Sequence, residues 1–150
     1  MIPVTKSFVP KIDEYTSIVN TAFENEWFTN RGELVKELES NLKSFLKITE
    51  SNLLCLNNGT SPIQIALKLL GKGGEIITTP FSYVATTASI VWENCTPVFI
   101  DIHKDQLTID ETKIEAGITE KTTCILATHV YGNPCNIEAI ENIAKKHNLF

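Results

Sequence analysis

The side chains best suited to chemistry stand in the stretch NNGTSP, residues 57–62, between the apolar runs LLCL and IQIALKLL. This order predicts a buried strand, a tight turn and a helix. The first N–H groups of a helix have no intrahelical partner and the helix dipole makes that end positive, so it attracts anions. Gly59 would let a ligand approach the backbone, and the Thr60 and Ser61 hydroxyls would add donors. The stretch therefore favours a site for a phosphate monoester.

The same stretch also has a purely structural interpretation, in which Asn58 and Gly59 are turn residues before a well-capped helix. Its spacing matches neither the G-x-G-x-x-G dinucleotide motif nor the G-x-x-x-x-G-K-[ST] phosphate loop. Both interpretations stay open on the residues of this stretch alone.

Two other stretches place candidate side chains at the carboxyl ends of predicted strands. Tyr83, in TTPFSYVATT, would be either a stacking platform for a planar ring or a core aromatic with a hydrogen-bonded hydroxyl. His129, in THVYGNP, would be either a site residue or a hydrogen-bonded core histidine. Ligands of open α/β sheets bind at the carboxyl ends of the strands, so we expect the three stretches to share one crevice.

Hydrophobic periodicity predicts the elements that must position these residues. The predicted strands are 52–56, 75–79, 96–102 and 123–131. The predicted helices are 33–47, 61–70, 82–94, 110–118 and 133–148, and residues 149–150 begin a further strand. Alternating strands and helices are typical of βαβ units, so we predict an α/β fold with three α/β/α layers and a mostly parallel sheet.

For two of the helices, the sequence also predicts the cap or the buried face. Ser61 is predicted as the N-cap of helix 61–70, with Pro62 at the first helical position. Apolar residues surround most of that helix, so we expect it to be buried on most sides. In helix 82–94, the residues expected to face the core are Val84, Ala88, Val91 and Trp92.

Composition narrows the class of protein. The 150 residues suit one domain, and the net charge of −5, with lysines and glutamates interspersed, argues against nucleic acid as a partner. No apolar run approaches the ~20 residues needed to span a bilayer, so we infer a cytosolic protein without a membrane partner. The four cysteines are scattered and lack metal-ligand spacing, so we predict buried thiols and no metal site.

Five segments, in their order and spacing, resemble the amino-terminal part of the DegT/DnrJ/EryC1/StrS sugar aminotransferases. They are WFTNRGELVKELE, NNGTSPIQIAL, EIITTPFSYVATTASIVWENCTPVFIDI, LTIDETKIEAGITEKTTCILATHVYGNP and IEAIENIAKKHNLF. The resemblance implies a pyridoxal-phosphate enzyme of the aspartate aminotransferase fold. Residues 1–150 would comprise an N-terminal segment, 1–30, and the front part of the large cofactor-binding domain.

The resemblance also implies roles for single residues. Gly59, Thr60 and Ser61 match the segment that holds the cofactor phosphate, and Tyr83 matches the aromatic residue that stacks on the pyridine ring. The residues matched to the substrate side of the site are Trp27, Thr29, Gly32 and His129. The family's lysine, which binds the cofactor covalently, and its aspartate at the pyridine nitrogen are expected after Phe150. We therefore expect no catalytic residue within 1–150, and no activity from these residues alone.

The activity implied by the resemblance is transfer of an amino group, with glutamate as donor, to a nucleotide-linked keto-deoxysugar such as dTDP-4-keto-6-deoxyglucose. The product would serve surface polysaccharide synthesis, such as lipopolysaccharide O-antigen, or another deoxyaminosugar, and the enzyme would be a cytoplasmic homodimer. Three alternatives stay open: a dehydratase of the same family, a non-catalytic phosphate-binding α/β module, and a protein for an ordinary phosphometabolite.

Overall fold

The computed structural model describes residues 5–150, so the first four residues of the N-terminal segment 1–30 lie outside the described residues. The chain divides into two units, one ending at Cys55 and one running from Leu56 to Phe150.

The first unit contains helices α1, Ile12–Glu24, and α2, Glu33–Phe45. Helix α2 begins where the sequence predicts and ends two residues earlier. Helix α1 was missed by sequence reasoning, although Ile12, Tyr15 and Ile18 recur at helical spacing along it. Its first turn also carries Asp13 and Glu14, which interact favourably with the positive end of the helix dipole.

The second unit is built on a three-stranded parallel sheet in the order β2-β1-β3. Its strands are β1, Glu75–Thr78; β2, Thr96–Phe99; and β3, Thr122–Ile125. The remaining elements are α3, Thr60–Leu70; α4, Val84–Trp92; a 3₁₀ helix, Glu111–Gly117; and α5, Ile137–His147. The parallel α/β architecture is confirmed, whereas the predicted strands 75–79, 96–102 and 123–131 are each shortened at their carboxyl ends.

The core of this unit consists of two clusters. Ile76 packs with Leu67 of α3 and Ile90 of α4, while Ile77 packs with Ile114 of the 3₁₀ helix and Ile140 of α5. Successive side chains of a strand point to opposite faces of its sheet, so this division places helices on both faces. Burial of a fully enclosed isoleucine such as Ile76 or Ile77 contributes about 2 kcal/mol to stability.

The predicted strand 52–56 is wrong. No strand is assigned there, and Leu54 and Leu56 are exposed. A strand exists only through hydrogen bonds to a neighbour, and in the part of the chain that the structure describes no strand pairs with this segment.

The predicted burial of α3 and α4 is also wrong in part. In α3 only Leu67 is buried, and Ile65 and Leu69 are exposed. In α4 all four residues predicted to face the core are exposed, namely Val84, Ala88, Val91 and Trp92. The buried face of α4 instead consists of Thr86, Ser89 and Ile90. Small side chains at two of these positions let the helix backbone lie close to the sheet, and this packing decides which face is buried.

Phe150 lies beside β3. Its N–H donates to Thr123 O at 3.0 Å, and Ile125 N–H donates to Phe150 O at 2.8 Å. These two bonds give residue 150 the pairing of a strand, as the sequence predicts for 149–150.

Candidate functional site

Strand order places the starts of α3 and α4 at the same edge of the sheet. Helix α3 leads into β1 and α4 leads into β2, and the first residues of these parallel strands, Glu75 and Thr96, are paired. Both helices therefore end at the amino edge of the sheet and begin at its carboxyl edge. This edge is where open α/β sheets bind ligands.

A cavity of about 480 Å³ opens at this edge between the segments 80–83 and 128–131. The first segment leads from β1 to α4, and the second follows β3. Tyr83 and His129 both line the cavity, so the structure brings these two predicted site residues together. Thr60 and Ser61 do not belong to its lining.

Tyr83 occupies the N-cap position of α4 with extended backbone angles. Its carbonyl accepts the Thr86 N–H at 3.0 Å, which fixes the residue to the first turn of the helix. The residue is 78% exposed, so its phenol ring does not belong to the core formed by residues 5–150. A rigid backbone position with an exposed aromatic ring suits stacking on a planar ligand.

His129 is held by a hydrogen bond to the backbone. Its Nδ1 accepts the Cys135 N–H at 3.0 Å. Because Nδ1 accepts, the neutral ring carries its proton on Nε2. The ring therefore has a fixed orientation and one free donor.

Sequence reasoning assigned no site role to Phe81 and Tyr131, which also line the cavity. Their rings contact edge to face, with centroids 6.4 Å apart. The only indication in the sequence is that Phe81 precedes Tyr83 by two residues and Tyr131 follows His129 by two.

The first turn of α3 is capped by the side chain of Asn58. Asn58 Oδ1 accepts the N–H groups of Thr60 and Ser61, both at 2.9 Å, and lies 3.2 Å from Ser61 Oγ. Ser61 is therefore not the N-cap: Gly59 occupies that position, and the capping acceptor is Asn58. A Cβ added at Gly59 would meet no atom within 4 Å, so the turn is open to a ligand. The first turn of α3 contains no acidic side chain, which leaves its dipole available to an anion.

Trp27, Thr29 and Gly32 lie in the first unit, where all three line a pocket of about 180 Å³ between α1 and α2. Trp27 Nε1 donates to Asn30 O at 3.3 Å, and the Lys36 ammonium lies 5.2 Å from the centre of the indole ring. These contacts hold the Trp27 ring in a defined place within the unit.

The family profile of the DegT/DnrJ/EryC1/StrS aminotransferases matches residues 11–150. This chain belongs to that family. It is 43% identical over 148 residues to a dTDP-4-amino-4,6-dideoxy-D-glucose transaminase of Escherichia coli, covering 99% of this chain and 39% of the relative. A GDP-perosamine synthase of Escherichia coli O157:H7 is 33% identical over 156 residues, covering 99% of this chain and 40% of the relative. The chain spans about two fifths of the length of these relatives.

Solved structures confirm the family's α/β fold for this chain. NtdA from Bacillus subtilis, with the bound cofactor PMP, matches with a TM-score of 0.82 at 31% identity, over 93% of this chain and 32% of NtdA. The aminotransferase from Psychrobacter cryohalolentis matches with a TM-score of 0.86 at 27% identity, over 99% of this chain and 38% of that one. Among residues 5–150 of this family member, no helix is long and apolar enough to cross a membrane.

A separate polar cluster of this family member surrounds Asp110. Its carboxylate accepts from Lys113 Nζ at 2.8 Å and from the Thr112 hydroxyl at 2.6 Å, and it caps the 3₁₀ helix through the Thr112 N–H. His103 Nε2 lies 2.8 Å from Glu111 Oε2 and 3.6 Å from Asp110 Oδ1. The hydrogen bond from Lys113, followed by that from Thr112, lowers the pKa of Asp110 from 3.8 to about 2.

This lowered pKa predicts loss of stability in acid. The folded Asp110 binds a proton less readily than the unfolded one, so its stabilisation is complete above the ordinary pKa of 3.8 and is lost as the pH falls towards about 2. We expect Asp110→Asn to lower the free energy of unfolding by about 1–2 kcal/mol at a pH of about 6, and by less at a pH of about 3. Urea unfolding of both proteins across this range measures the difference, and two parallel pH profiles would contradict the assignment.

Proposed function

We propose that the whole protein uses pyridoxal 5′-phosphate to transfer an amino group from an amino acid to a nucleotide-linked keto-deoxysugar. The observation that carries this proposal is that the start of α3 and the cavity both lie at the carboxyl edge of the sheet. There, a helix start free of acidic side chains lies at the same edge as a cavity lined by Tyr83 and His129. The 43% identity to a transaminase named for dTDP-4-amino-4,6-dideoxy-D-glucose supports this choice over other family reactions.

The residues present fit the cofactor. Gly59 leaves open space at the turn, and the adjoining Thr60 and Ser61 offer backbone and hydroxyl donors for a phosphate group. A dianionic phosphate is a stronger acceptor than the neutral Asn58 amide that now occupies the two N–H groups, so it can displace that oxygen. When bound, pyridoxal phosphate supplies the electron sink needed to exchange an amino group.

The chain's own residues would bind and orient the reactants. Gly59, Thr60 and Ser61 would hold the phosphate, and the exposed face of Tyr83 would restrain the plane of the cofactor ring. His129, with its proton on Nε2, would donate a hydrogen bond to the substrate. We also propose Trp27, Thr29 and Gly32 as substrate-side residues, on the strength of the family motif, and assign no catalytic residue within 1–150.

The finer features of the proposal rest on the resemblance to the family. The acceptor would be dTDP-4-keto-6-deoxyglucose and the donor glutamate, acting in the cytoplasm towards lipopolysaccharide O-antigen or another deoxyaminosugar. A homodimer would cover the exposed apolar face of α4, which includes Val91 and Trp92. Residues 1–150 would form the N-terminal segment and the front part of one large domain.

The test is the absorbance spectrum of the full-length protein with pyridoxal phosphate, between about 300 and 500 nm, before and after glutamate is added. We expect a protein-bound cofactor band that glutamate shifts to shorter wavelength. A bound cofactor that does not respond to amino donors would favour the dehydratase alternative. Failure of the cofactor to bind would overturn the proposal and would leave the α3 start to another phosphate ligand.

A further inference from the structure

The two-residue turn after β3 has a backbone that its sequence does not favour. Val130 and Asn133 exchange both backbone hydrogen bonds, at 3.1 and 2.8 Å, around Tyr131 and Gly132. The φ angles of Tyr131 and Gly132 are +52° and +87°. Positive φ at both central residues is the requirement of a type I′ turn, which strongly prefers Asn or Gly at the first of them.

Tyr131 is therefore strained where asparagine would be relaxed. A bulky side chain at positive φ is disfavoured because its Cβ lies too close to the backbone. The turn itself is anchored independently of this ring, since Asn133 Nδ2 donates to Gln106 O at 3.0 Å. Among the described residues, the Tyr131 ring is therefore not what anchors the turn.

Burial does not account for Tyr131 either. The residue is 84% exposed, and its one aromatic contact within residues 5–150 is the edge-to-face approach to Phe81. The ring lines the same cavity as Tyr83 and His129. Strain that no packing among residues 5–150 explains, in a residue that lines a cavity, points to a role in ligand binding.

We propose that Tyr131 is a specificity-determining residue that binds the sugar ring of the nucleotide-linked substrate. This inference rests on the proposed function, in which Tyr83 already stacks on the cofactor ring. A second exposed tyrosine in the lining of the same cavity offers an apolar face to the C–H groups of a deoxyhexose and a hydroxyl to its polar substituents. The cavity of about 480 Å³ lies within the usual range for small-molecule sites.

The test compares Tyr131→Asn with wild type in the full-length protein loaded with pyridoxal phosphate. Calorimetry measures the binding of dTDP-4-amino-4,6-dideoxy-D-glucose and of dTDP alone, and thermal unfolding measures stability. We expect the substitution to weaken binding of the amino sugar nucleotide about tenfold. Binding of dTDP and of the cofactor should change less than about twofold, and the unfolding temperature should not fall, because asparagine suits this turn.

Two further variants sharpen the comparison. Tyr131→Phe keeps the ring and should retain most of the affinity for the sugar nucleotide. Lys72→Asn is the matched control, because Lys72 also has a positive φ, of +49°, and lies between α3 and β1 at the amino edge of the sheet. It relieves the same kind of strain without touching the cavity, so binding of both nucleotides should be unchanged.

The outcomes separate this inference from the proposed function. Unchanged sugar-nucleotide affinity in Tyr131→Asn, or equal weakening of dTDP and the sugar nucleotide, would overturn the role of Tyr131 while leaving the proposed function intact. A lower unfolding temperature would show that Tyr131 packs against other parts of the protein and would overturn it as well. A wild-type protein that binds neither cofactor nor nucleotide would overturn both.

Discussion

Combining Thr60→Val with Ser61→Ala is expected to weaken the binding of pyridoxal phosphate by the full-length protein at least about 100-fold. Each substitution removes a hydroxyl donor from the start of α3. A hydrogen bond to a charged group contributes about 1.5–3 kcal/mol, and about 1.4 kcal/mol corresponds to tenfold in affinity. Titration of the apoprotein with the cofactor, followed by absorbance, gives the dissociation constants.

The matched control is Ser44→Ala on α2. Ser44 Oγ is exposed and donates to Ser40 O at 3.1 Å. The substitution therefore removes a serine hydroxyl from a helix that does not belong to the proposed phosphate site. This variant should bind the cofactor like wild type. The assignment of the phosphate site fails if the double variant, shown by circular dichroism to be folded, retains wild-type affinity.

Gly74→Ala should lower the free energy of unfolding of the full-length protein by about 3 kcal/mol. A Cβ at this position would lie 2.5 Å from Thr123 Cγ2 and 2.6 Å from Lys121 O. The backbone cannot easily move away, because Gly74 donates to Gly71 O at 2.8 Å and accepts from Thr96 N–H at 3.0 Å. The added methyl group would therefore distort the start of the sheet. Urea unfolding provides the measurement.

Gly59→Ala is the control for this prediction. Its Cβ would meet nothing within 4 Å and its φ is −76°, so the free energy of unfolding should fall by no more than about 1 kcal/mol. Equal destabilisation by the two substitutions would show that the crowding at Gly74 is relieved by movement of its neighbours.

The sequence predicts best those helices and strands whose signals lie in a short run of residues. The β-branched run before Thr79 and the apolar run in TPVF form β1 and β2, and the amphipathic pattern from Glu33 forms α2. The prediction failed at 52–56, which has the composition of a strand but no paired neighbour in the described part of the chain. Strand formation depends on a partner that composition does not reveal.

The candidate site shows the same division. Tyr83 and His129 were identified from their places at the carboxyl ends of predicted strands, and the structure puts both in one cavity. Tyr131 was not, because the positive φ and the exposure on which its proposed role rests appear only when the turn is formed. The start of α3 is a similar case: the sequence predicts that Ser61 caps this helix, whereas the structure shows that Asn58 provides the capping acceptor. Either side chain suits a helix start, so only the geometry of the turn distinguishes them.

The sequence by itself determined the α/β class, the order of the elements from α3 onwards and the family, because periodicity and ordered motifs are properties of the chain. The tertiary structure decided which face of α4 is buried and which side chains share a cavity. Thr86 and Ser89 face the core while Val91 and Trp92 do not, although hydrophobicity predicts the reverse. Periodicity shows that a helix has two different faces, but only close packing against a particular neighbour determines which of them is buried.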